Sequence, residues 1–138
     1  MNKERLLEKL EDYRQASMRL EEGTKKQIDD DIIYDGVIQR FEFTFELSSK
    51  LMKVFLQYTG INELKSPRST IKEAYTYGLI ENGDQWIDMM IDRNKTSHLY
   101  DEEEAKLIYQ KVKHTYTPLF THFLKTLETE IKQVEGEL

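Results

Sequence analysis

The chain has 138 residues, a formal net charge of −6, six glycines, two prolines and no cysteine. That length suits one domain, spanning 1–138, with a substantial core, and the lack of cysteine excludes disulfides and thiolate metal sites and makes a cytoplasmic location the expectation. An acidic chain is a poor general nucleic-acid binder, so a protein partner or a small ligand is favoured over DNA, although a local basic site on an acidic body stays open.

The opening "MNKERLLEKLEDYRQ" is charged throughout and lacks the apolar stretch of a signal peptide. A 3.6-residue stripe of Leu6, Leu10, Tyr13 and Leu20, with Ala16 and Ser17 as small members, predicts a first helix from about Lys3 to Glu22, closed by Gly23. A second, the longest, is predicted from about Asp29 to Tyr58, with acids at its start where the helix dipole favours them. Its stripe is Ile33, Val37, Phe41, Thr44, Phe45, Ser48, Met52 and Phe55. Phe43 points off that stripe, so an aromatic surface is left over for a partner.

"SPRST" predicts a third helix with Ser66 as its N-cap and Pro67 in its first turn, ending near Gly78. A fourth runs from about Asp84 to Ser97. Asp101, with Glu104 three residues on, has the form of a capping box for a fifth helix that reaches about Gln133, with a kink expected at Pro118. Three long and two short helices make an all-α, antiparallel, up-and-down bundle of four to five helices. No stretch approaches the roughly 18 apolar residues of a membrane span.

"RNKTSHLY" (93–100) closes the fourth helix and holds one of only three histidines. On an ideal helix Arg93 and His98 are about 140° apart, so they do not converge within one chain. Asn94 and His98 extend the line of Ile87 and Ile91. If this end met its own copy across a two-fold axis, Arg and His from two chains could share a cleft. The residue types suit RNA: an imidazole, with an ordinary pKa near 6.5, can deprotonate a ribose 2′-hydroxyl or protonate the leaving 5′-oxygen. An arginine can stabilise charge growing on the phosphorus oxygens. No metal is required. The plainer reading is a polar helix end whose cations suit the dipole, with Tyr100 packing on Ala105 as a hydrophobic staple. His114 and His122, eight apart with no third ligand evident, do not make a zinc pair.

Three blocks, "DGVIQRFEFTFELSSK" (35–50), "SPRSTIKEAYTYGLI" (66–80) and "WIDMMIDRNKTSHLYDEEEAKLIYQKV" (86–112), together resemble the nucleotidyltransferase substrate-binding protein family of the HEPN superfamily. The likeness covers about residues 27–127. Ser49 departs from it, since the family often has tryptophan there. The resemblance implies a homodimer that works with a minimal nucleotidyltransferase as its protein partner. In one form the bundle is a metal-independent endoribonuclease toxin, with its Arg-x4-His site at the dimer cleft. The transferase is then the antitoxin, in related pairs adding AMP to the tyrosine of Arg-x4-His-x-Tyr. In the other form the bundle is a non-catalytic nucleotide- or substrate-binding subunit. On this resemblance Arg93, Asn94 and His98 are the expected catalytic residues and Tyr100 the expected modification site. No cofactor, metal or membrane is expected.

Overall fold

The structure, a computed structural model, describes residues 3–99 and 101–136. They form helices α1 (Lys3–Thr24), α2 (Ile32–Tyr58), α3 (Pro67–Tyr77), α4 (Gly83–Lys95), α5 (Glu102–Lys111) and α6 (Thr117–Gly136). A 3-10 turn, Thr96–His98, follows α4, and a π-helical segment, Val112–Tyr116, joins α5 to α6 in one rod. The result is an antiparallel helical bundle with no strand among the described residues.

Each apolar stripe turns inward. Leu6, Leu10, Tyr13 and Leu20 of α1 meet Val37, Phe41, Phe45, Met52 and Phe55 of α2 in one contiguous core. Tyr13 ties α1 to α6 by donating to the Phe120 carbonyl at 2.8 Å, and its ring meets Phe123 edge to face at 5.4 Å. Trp86 carries α4 onto α6 through edge-to-face contacts of 5.6 Å with both Phe120 and Phe123. Burying rings of this size contributes most of the packing energy. Phe43, by contrast, is 52% exposed, as its position off the stripe required.

Several helix ends depart from expectation for local reasons. α1 continues past Gly23 to Thr24. Gly23 lies where a Cβ would come within 3.3 Å of Val37, so its role is close approach to α2 rather than termination. α2 starts three residues later than Asp29, because the Asp30 carboxylate accepts the Ile32 amide at 2.9 Å and holds a turn there. α3 begins as predicted: the Ser66 hydroxyl accepts from the Ser69 amide at 3.1 Å, and Ser69 reciprocates to complete a capping box. Gly78, with φ of 99°, closes it in the left-handed conformation. At α5, Asp101 caps the amide of Glu103 rather than that of Glu104. The break ahead of Pro118 takes the form of the π segment. There the Thr117 amide reaches back to the Val112 carbonyl, a wider turn that accommodates a proline ring unable to donate.

Candidate functional site

The end of α4 is tied down by its own hydroxyls. Thr96 donates to the Arg93 carbonyl at 2.7 Å and Ser97 to that of Asn94 at 3.4 Å, satisfying carbonyls that a helix end leaves open. These bonds tighten the chain into the 3-10 turn carrying His98. A residue in such a turn advances about 120° rather than 100°. From Arg93 to His98 the rotation therefore leaves the two roughly 160° apart, wider than an unbroken helix would give.

The contacts follow that divergence. Arg93 turns to α2, where its guanidinium pairs with Glu46 and lies 3.7 Å from Glu42. Its Nε is buried and without a partner among the described residues. His98 is exposed and lines a groove of about 670 Å³ between the end of α4 and the face of α5. Lys95, Glu104 and Lys111 give that groove a mixed charge, and Leu99, Leu107 and Ile108 give it apolar lining. Neither Arg93 nor Asn94 lines it; Asn94 is exposed. One chain thus keeps its Arg93 and its His98 apart. Tyr100, the expected modification site and staple, lies outside the described residues.

Beneath the groove sits a network that the sequence reading did not single out. Asp92 is 4% exposed. It accepts from the Tyr116 hydroxyl, and Lys111 Nζ lies 2.6 Å from the same oxygen. Burial first, and then the hydrogen bond to Asp92, hold the Tyr116 phenol well above its ordinary range. The network joins α4, α5 and the π segment just where Arg93 and His98 diverge. One signal was available: Met89, Asp92 and Thr96 stand at i, i+3 and i+7, so an acid falls on a buried line. Its partners, 19 and 24 residues on, carried no such signal.

The remaining histidines are engaged elsewhere. His114 hydrogen-bonds Gln110 at 3.0 Å, and His122 lies 3.7 Å from Glu81. Among the described residues no group of three or more histidine, aspartate or glutamate side chains could hold a metal ion. No helix among them is long and apolar enough to cross a membrane.

The described residues thus form an antiparallel helical bundle with an arginine and a histidine on opposite sides of one helix end. The chain belongs to the family described as nucleotidyltransferase substrate binding protein like, whose model matches residues 8–129. Over 86 residues it is 38% identical to a Haemophilus influenzae protein named "Probable ribonuclease HepT"; the match covers 59% of each chain. The chain thus spans under two thirds of that relative. Its fold is similar to a Haemophilus influenzae structure described as the fold of a substrate binding domain of a nucleotidyltransferase. There the TM-score is 0.77 and the identity 30%, over 86% of this chain and 98% of the other. A structure from Thermus thermophilus superposes with TM-score 0.71 at 25% identity, over the same shares.

Proposed function

We propose that this chain is the helical half of a two-protein module with a minimal nucleotidyltransferase, and that as a homodimer it is a metal-independent endoribonuclease toxin neutralised by that partner. The observation that carries the reading is the geometry of the α4 end. Arg93 and His98 occupy opposite sides of it, while Ile91 (39% exposed), Asn94 and His98 are left exposed by the other described residues. Leu107, 67% exposed on the groove wall, adds apolar surface beside it. A second copy seated there across a two-fold axis would bring each Arg93 toward the other chain's His98.

In such a cleft His98 takes the proton of a ribose 2′-hydroxyl. The freed oxygen attacks the adjacent phosphorus, and the bond to the 5′-oxygen breaks. The imidazolium then returns its proton to that leaving oxygen. Arg93 of the other copy and the Asn94 amide face the charge gathering on the non-bridging oxygens. The products are a 2′,3′-cyclic phosphate and a 5′-hydroxyl. The nucleotidyltransferase would silence the site through Tyr100. The test is cleavage of RNA by the purified chain in excess chelator, with the end groups of the fragments determined. His98→Ala should lose on the order of 10²–10⁴ in rate, and equal cleavage by both proteins, or none by either, refutes the reading.

A second reading has its own observation. Glu42 and Glu46 together more than balance the charge of Arg93, which suits a structural tie between α2 and α4 in a non-catalytic, nucleotide-binding subunit. That reading predicts a stable complex with the transferase that binds ATP by calorimetry, together with the absence of RNA cleavage.

A further inference from the structure

Charge is unevenly placed on this acidic chain. Residues 47–76, the second half of α2, the linker and α3 nearly to its end, carry five cations against Glu63 and Glu73, a net +3, so the rest carries −9. Lys50, Lys53 and Lys65 line one shallow groove beside the start of α3. Arg68 and Lys72, one turn apart on α3, line the next groove, of about 960 Å³. None of the five has an acidic partner within ion-pair distance among the described residues, and what sets them apart from other such cations is their clustering in sequence with only two acids among them. Unpaired cations in one strip leave a local field that a polyanion can use.

The strip continues into an aromatic surface. Tyr75 follows Arg68 and Lys72 at i+7 and i+3 on the same face of α3 and is 51% exposed. Its side chain packs close to Gly83 at the start of α4, where a Cβ would come within 3.2 Å of the ring, so the glycine leaves room for it. The opposite wall offers the amides of Asn82 and Gln85 and the carboxylates of Glu81 and Asp84. A phosphate is repelled by that wall and drawn to the Arg68 side. A base can stack on Tyr75 with its polar edge toward the amides.

We infer that the strip from Lys50 to Tyr75 is a binding surface for single-stranded RNA, separate from the α4 end. Cations tracking a backbone beside a stacking ring are the usual means of holding a single strand without reading its sequence. The inference supplies the substrate-holding surface of the ribonuclease proposed above and rests on that reading for its use. Binding itself is measurable without it.

The test is fluorescence anisotropy of a labelled single-stranded oligoribonucleotide titrated with full-length His98→Ala chain in chelator, at several salt concentrations. Three to five phosphate contacts predict a slope of log affinity on log salt of roughly −2 to −3.5. Arg68→Gln with Lys72→Gln should flatten that slope by about 1.4 and weaken binding roughly 10- to 30-fold near ~0.1 M salt. Tyr75→Ala should weaken it about tenfold, and Tyr75→Phe should restore it. Lys125→Gln with Lys132→Gln, the same charge removed from the exposed face of α6, should change it little. Circular dichroism checks that each variant is folded. Absence of salt-dependent binding, binding that the strip variants leave unaltered, or polyglutamate binding as tight as RNA overturns the inference. Failure of the wild-type chain to cleave RNA would refute the ribonuclease reading and leave this surface standing. Normal cleavage with strip-independent binding would refute the surface alone.

Discussion

Tyr116→Phe isolates the network under the α4 end with little disturbance. The ring is kept, so its stacked contact with Phe41, 5.5 Å between centroids and 16° between planes, remains and no cavity opens. Only the hydroxyl that donates to Asp92 is lost. A buried hydrogen bond to a charged acceptor contributes about 1.5–3 kcal/mol. Lys111 stays 2.6 Å from the same carboxylate oxygen but is half exposed, so its compensation is weak. We expect a loss of about 1.5–2 kcal/mol, or roughly 5–8 °C in melting temperature for a chain of this size. Tyr109→Phe is the internal control. Its hydroxyl is buried without a partner among the described residues, so deleting the same atom there should be neutral or stabilising. Urea unfolding followed by far-ultraviolet circular dichroism, at one fixed protein concentration, measures both. Equal midpoint shifts for the two variants would show that the bond to Asp92 contributes nothing.

Three further outcomes follow from other parts of the molecule. Burial holds the phenols of Tyr13 and Tyr116 above their ordinary range, and Asp92 adds to it for Tyr116. Their stabilisation is whole below about pH 10 and is lost as pH rises, by about 1.4 kcal/mol per pH unit for each; urea midpoints between about pH 9 and pH 11 should fall less steeply in Tyr116→Phe. Leu107→Glu places a charge on apolar surface that is already 67% exposed, so it should leave monomer stability within about 0.5 kcal/mol; if the proposed second copy seats there, it should also shift the mass measured by light scattering to that of one chain. Phe43→Ser, at a 52% exposed site, should likewise fold normally and fail to co-purify with the transferase if that ring is its docking point.

The helices were legible because their stripes are regular: each residue of α2 from Val37 to Phe55 expected inside is buried. Their ends were less so. Acids at 29–31 favour a helix start through the dipole, but Asp30 spends its carboxylate on the Ile32 amide and delays it. Pro118 announced a break, yet a proline dictates only which bond is missing, not whether a kink or a π turn absorbs the loss. The divergence of Arg93 from His98 was readable from the helical repeat alone, because both lie within two turns. What held Arg93 was not, since its pairing with Glu42 and Glu46 depends on how α4 is set against α2. The same holds for Asp92, whose partners come from beyond a turn. The basic strip was hidden by the chain's net charge, which averages an acidic body with a positive edge.

The central claim, that two chains build one site, has a direct test. Arg93→Ala and His98→Ala chains, each inactive alone, are mixed in equal amounts, allowed to exchange and assayed for RNA cleavage in chelator. If each Arg93 serves the other chain's His98, half the dimers regain one of their two sites, and activity returns to about a quarter of wild type. If the mixture stays as inactive as either variant while mixed dimers are shown to form, Arg93 and His98 do not act across the two chains and the account is wrong.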